Sequence, residues 1–89
     1  MATDPFRSNS DSPNAPAADA FAIVPSDALE LPQVTKAIYV GTAGHITLRP
    51  LRASADVVYR NVPAGSYLMI RASHVRATGT TAADLVGEA

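Results

Sequence analysis

The sequence predicts an all-β fold: a small antiparallel β-sandwich or barrel, jelly-roll-like, carrying an extended N-terminal arm. Three observations point there. Between Lys36 and Val75, β-branched and aromatic runs alternate with Gly and Pro at turn spacing, the pattern of short strands joined by turns. Within those runs neighbouring residues divide between two faces, as Ile38 and Val40 do against Ala37 and Tyr39, which is the period of a strand. Residues 1–20 are rich in Asp, Ser, Asn, Pro and Ala, with Phe6 as their only large apolar anchor beyond Met1, so they have too little to bury to form a core of their own. The expected division is therefore an arm over 1–20 and one β domain over 21–89.

Taken in order, Phe21–Val24 is a short strand stopped by Pro25, which donates no ladder hydrogen bond. Residues 26–32 form a loop, with room for one helical turn capped by Ser26 or Asp27, and Pro32 ends it. Thr35–Val40 is the clearest strand. Ile38 and Val40 share one face, Ala37 and Tyr39 the other, so a strand apolar on both faces is expected in the middle of a sheet. Gly41-Thr-Ala-Gly44 makes a tight connection in which the glycines supply positive φ. His45–Leu51 returns as a half-exposed strand, Ile46 and Leu48 inward and Thr47 and Arg49 outward, with Pro50 at an edge or a bulge. After a turn over 52–56, Val57–Val62 is the next strand, and Pro63-Ala64-Gly65 reverses the chain. Tyr67–Val75 reads as the longest strand, with Leu68, Ile70 and Ala72 toward the core. Ala77–Thr81 is a hydroxyl-rich turn, and Leu85-Val86 forms a last short strand.

Composition bounds what this domain does. Of the 47% hydrophobic residues 17 are Ala, leaving 25 larger apolar side chains in 89 residues, a thin core for a lone small domain. Cysteine is absent, which removes disulfides and thiolate zinc sites as sources of stability. Self-association is the remaining common device, and a homo-oligomer is expected. No signal-peptide h-region and no apolar run of about 20 residues is present, so the expectation is a soluble product of the cytosol with no membrane partner. Residues 1–35 carry five acids and one base (−4), residues 36–89 six bases and three acids (+3), for a net −1. Arm and body thus attract one another, within a subunit or between neighbours; ordinary solvated charge accounts for the same numbers.

Chemistry-bearing residues are sparse. His45 and His74 are the side chains suited to proton transfer near neutral pH. Ser73, His74 and Asp56 make a Ser–His–Asp set on paper, but no Gly-x-Ser-x-Gly elbow supports it. The two histidines stand far apart with few carboxylates nearby, an unpromising metal set, and Gly41–Gly44 lacks the ending and the following helix of a phosphate loop. No catalytic residue, cofactor or metal is assigned, and an enzyme is not expected. Tyr39, Tyr59 and Tyr67 among six bases offer the residue types of a single-strand nucleic-acid platform. The chain is acidic overall and its bases are scattered over several strands, so nucleic acid is not the expected partner.

The order Leu31-Pro32, Thr35-Lys-Ala-Ile-Tyr-Val-Gly41, Ala43-Gly-His-Ile46, Val62-Pro-Ala-Gly65 and Ala77-Thr-Gly-Thr-Thr-Ala82 resembles the head spike base proteins of gene transfer agents and related alphaproteobacterial tailed phages. The similarity runs from about Asp4 through Phe21-Ala-Ile-Val-Pro-Ser-Asp27 to the C-terminus. The resemblance implies a structural virion protein on the outer capsid surface, seated at five-fold vertices and linking the capsid to a spike fibre that attaches to host polysaccharide. A pentamer is the expected oligomer, with capsid protein and fibre as partners. The matched positions are turn glycines and strand residues, so no catalytic or sugar-binding residue carries over. At His45 an acid is common in the family. Candidate assembly contacts are Pro5, Phe6 and Arg7 in the arm and Phe21 where the β body begins. A tail or baseplate adaptor, and a soluble nucleic-acid or carbohydrate-binding module, are the competing readings.

Overall fold

The computed structural model describes residues 17–89. They form seven strands: β1 (Ala20–Ala22), β2 (Ala37–Thr42), β3 (Gly44–Pro50), β4 (Val57–Val62), β5 (Ser66–Leu68), β6 (Ala72–Val75) and β7 (Ala83–Glu88). Every pairing is antiparallel, in two sheets of order β1-β7-β2-β5 and β4-β3-β6. The expected β-sandwich is the architecture found.

Alternation builds the core. Ile38 and Val40 of β2, Ile46 and Leu48 of β3, Val75 of β6 and Leu85 of β7 are all buried and meet between the sheets. Across the four-stranded sheet, Phe21, Gly87, Ile38 and Leu68 lie in register on the inner face. Gly87 is bare there because the Phe21 ring occupies its side-chain space: a Cβ would stand 2.6 Å from Phe21 Cζ. On the opposite face the next row reads Ala22, Val86, Tyr39, Tyr67, with the two tyrosine rings edge to face at 5.3 Å.

Most connections cross between the sheets, whereas β3 and β4 pair within one. Only Ala43 separates β2 from β3, which lie in different sheets. Gly41 and Gly44 serve this corner by close approach, not by positive φ, which among glycines occurs at Gly65 and Gly79. A Cβ on Gly41 would stand 2.7 Å from Asp84 Cβ, and one on Gly44 would overlap the Ala82 backbone.

The run expected as the longest strand is broken. Its first part is β5 in one sheet and its second part β6 in the other, with a tight turn at Met69 closed by the Ile70 N–H donating to the Leu68 carbonyl at 2.9 Å. Thr35 holds the break. Its buried hydroxyl donates to the Ile70 carbonyl at 2.8 Å and accepts from the Ala72 N–H at 3.0 Å. Leu68 and Ile70 are partly buried and Ala72 wholly so.

Smaller expectations are corrected too. The outer side of β3 is not half-exposed at Thr47, which is 7% exposed. The 76–81 segment covers it: the Arg76 N–H donates to the Thr47 carbonyl and the Thr80 hydroxyl accepts from the Thr47 N–H. Pro50 sits at a register shift between β3 and β6, as a bulge allows, although β3 is the central strand of its sheet. The last strand is six residues long and central, between β1 and β2. No helical turn forms at 26–32; Ser26 Oγ accepts instead from the Ala28 and Leu29 N–H groups.

Candidate assembly surface

Among the described residues the sites suggested for chemistry are taken up by the fold. Ser73 Oγ lies 2.7 Å from His74 Nδ1, but the Asp56 carboxylate faces elsewhere. It accepts from Arg49 Nε at 3.1 Å and Arg76 Nε at 3.2 Å, so the structure does not bring the Ser–His–Asp set together. His45 is a framework residue. Its Nδ1 accepts from the Asn61 N–H at 3.0 Å, its N–H donates to Thr81 Oγ1, and its carbonyl accepts from Thr81 and Ala82. The Asn61 bond fixes a β-bulge, where the register slips by one residue between β3 and β4 and Asn61 takes φ 56°. No cluster of three metal-ligating side chains occurs among the described residues. Nor, among them, is there a helix long and apolar enough to cross a membrane.

The three tyrosines do not form one platform. Tyr39 and Tyr67 share the outer face of the larger sheet, whereas Tyr59 packs against the core from β4. Arg49 and Arg76 are engaged with Asp56.

The proposed contacts Pro5, Phe6 and Arg7 lie outside the described residues. Phe21 is half-buried in β1, with its ring over Gly87 of the same chain. Just before it, Ala18 and Asp19 donate backbone bonds to the Ala89 carbonyl, and Ala89 donates back to Asp19. The β body thus already holds residues 18–20.

Two flanks of the three-stranded sheet differ sharply. At β6 the chain covers its own edge. The Ser26, Leu31 and Thr35 N–H groups donate to the Val75, Ser73 and Ala72 carbonyls. Side chains pin this cover: Asp27 accepts from the Thr78 N–H at 2.9 Å and the Thr78 hydroxyl at 2.7 Å, and Arg76 Nη1 donates to the Asp27 carbonyl at 2.9 Å. The Thr78 bonds to the ionised form hold the Asp27 carboxyl below its ordinary range, with a smaller contribution from the Arg76 charge. At β4 no strand lies beyond the edge among the described residues. Val57 and Val58 are 44% and 41% exposed, and Arg60 is exposed beside them. Sequence patterning does not single out this edge, because the Val57–Val62 pattern is equally that of an inner strand.

No family model matches the chain, and no curated protein does. Among solved structures it is similar to a chain from the capsid of a native gene transfer agent (GTA) particle computed with C5 symmetry. The two are 37% identical, with a TM-score of 0.83 over 98% of this chain and 100% of the other. The chain belongs to the family of that GTA particle protein. The fold of the GTA protein is shared across its whole length, from the short β1 to the central β7. This bears out the relation to gene transfer agents that the ordered strand and turn segments implied.

Proposed function

We propose that this protein is a structural part of a GTA-like particle. In this reading it forms the base of a head spike at the five-fold capsid vertices and links the capsid to a host-attachment fibre. One observation carries the proposal: end-to-end similarity to a protein of a GTA capsid described with five-fold rotational symmetry. A ring of five copies matches that symmetry, and closed cyclic rings are a common form of homo-oligomer. A strand edge that is apolar and uncovered among the described residues supports the same reading, because an exposed edge invites pairing unless something shields it.

Antibody labelling of purified particles, imaged by electron microscopy, tests the placement. Label at the head vertices is the expected result. Label confined to the tail would favour an adaptor there, and absence from particles would end the virion reading. Removal of residues 2–16 tests the arm with its contacts Pro5, Phe6 and Arg7. The expected outcome is a folded β body that is incorporated poorly; incorporation at the full-length level would remove the arm from the docking account. The truncation stops at residue 16 because Ala18–Ala20 are bonded into the sheet.

A further inference from the structure

A closed ring of identical subunits needs two different surfaces on each copy, one meeting the other head to tail. The three-stranded sheet supplies such a pair on its opposite edges. On one flank the segment that covers β6 exposes Val24 and Leu29, 80% and 71% accessible, next to the exposed Glu30. On the other flank, β4 exposes Val57 and Val58 with Arg60. Each patch is apolar and keeps one charged side chain that the described subunit leaves unpaired, Glu30 on one and Arg60 on the other, because Asp27 is held by Thr78 and Asp56 by Arg49 and Arg76. Glu30 and Arg60 make no interaction inside the described part of the subunit. The backbone edge of β4 is the one edge of this sheet that the described chain leaves uncovered, whereas three N–H groups of the 26–35 segment are spent on β6.

From this complementarity we infer that the occupant of the β4 edge is a second copy of the same chain. It presents its Val24–Glu30 segment, so that Leu29 packs against Val58 and Glu30 faces Arg60 of the neighbour. The contact rests on the oligomeric vertex role proposed above and names the surfaces that would build it. Side chains make this contact, because Pro25 and Pro32 bound the segment and interrupt any long ladder. Charge complementarity sets which flank meets which, and the two valines supply apolar area that is exposed in the single copy.

The chain has no cysteine, which makes a crosslinking test clean. Leu29→Cys, Val58→Cys and the double variant L29C/V58C are incorporated into particles and treated with a short bis-maleimide. A head-to-tail contact predicts a ladder of covalent multimers from the double variant and none from either single variant. Dimers from Val58→Cys alone would mean that two β4 edges pair with each other, and would overturn the proposal. So would a double variant that stays monomeric on particles that do carry it. A parent chain missing from the particles would instead overturn the vertex reading and this contact with it.

Charge reversal gives an independent readout on the full-length protein. Glu30→Arg and Arg60→Glu are each expected to raise the concentration for half-assembly at least tenfold, and the double reversal to restore most of it. Melting curves like that of the parent chain establish that the variants fold. Assembly unchanged by both single reversals would overturn the pairing of Glu30 with Arg60.

Discussion

The two edges of the three-stranded sheet share a parent strand, β3, and end in opposite conditions. β6 is sealed from within by a segment that reaches it from 26–35, while the described residues leave β4 bare. Sealing β6 takes a long connection from β1 to β2, a buried threonine and a carboxylate that reaches the 76–78 segment. A small domain meets this requirement at one edge and leaves the other available. The difference separates contacts that belong to the fold from contacts that belong to assembly. Substitutions on the two sides should therefore fail in different assays.

The largest effect is expected at Thr35, on the sealed side. Its hydroxyl is both donor and acceptor where the chain leaves one sheet for the other, and the residue is fully buried. Thr35→Val keeps the shape and strands the Ile70 carbonyl and the Ala72 N–H. A buried group left without its partner costs about 1–3 kcal/mol, so a loss of about 2–3 kcal/mol in denaturant unfolding is expected. An unchanged midpoint would show that the corner does not depend on this hydroxyl.

Next in size is Val75→Thr, on β6 itself. Val75 is 1% exposed and lies in the central cluster. Threonine has nearly the same volume, so the cost is that of burying a hydroxyl, about 1–3 kcal/mol where no partner reaches it. Melting of the purified protein measures this directly. A smaller loss than about 0.5 kcal/mol would mean that the hydroxyl had found an acceptor and that the edge is less tightly closed than its burial indicates.

The cover over β6 should also loosen in acid. The folded-state carboxyl of Asp27 is lower than in the unfolded chain, mainly because the Thr78 N–H and hydroxyl bond its ionised form. On acidification the unfolded chain takes up this proton first. The contribution is therefore complete above the ordinary carboxylate range and is lost as pH falls through the lowered folded value. Asp27 is well exposed, so the effect is smaller than that of either core substitution. Asp27→Asn should flatten the acid limb of the melting temperature against pH. A limb of unchanged slope would assign the acid sensitivity to another carboxylate.

This asymmetry is only partly legible in the sequence. Period-two patterning locates β2, β3 and β4, and the Val57–Val62 bounds agree with the structure. Patterning also puts Ile38, Val40, Ile46 and Leu48 in the core. It fails where tertiary pairing overrides local preference. Tyr67–Val75 alternates without a Gly or Pro, and the break at Met69 depends on Thr35, more than thirty residues away. By pattern β7 amounts to two residues, because Ala83, Asp84, Gly87 and Glu88 are poor strand formers; its pairing with β1 and β2 extends it. Gly41 and Gly44 are legible as glycines with a purpose, but the purpose is the close approach of Asp84 and Ala82. The assembly surface is legible least. An edge strand and an inner strand have the same period, and which edge the chain covers follows from topology.

The smallest effect on folding is expected from Val58→Thr, the Val75 substitution repeated on the bare edge. Val58 is 41% exposed, so a hydroxyl there finds water, and threonine keeps the β-branch that suits a strand. The free energy of unfolding should move by no more than about 0.5 kcal/mol, the usual range at an open surface. The same variant removes apolar area from the side chain placed opposite Leu29 of a neighbour. A few-fold drop in incorporation into particles should therefore accompany an unchanged melting temperature, whereas Val75→Thr lowers both. If Val58→Thr destabilises the isolated chain as much as Val75→Thr does, the β4 edge belongs to the fold after all. The distinction between a sealed edge and an open one would then fail.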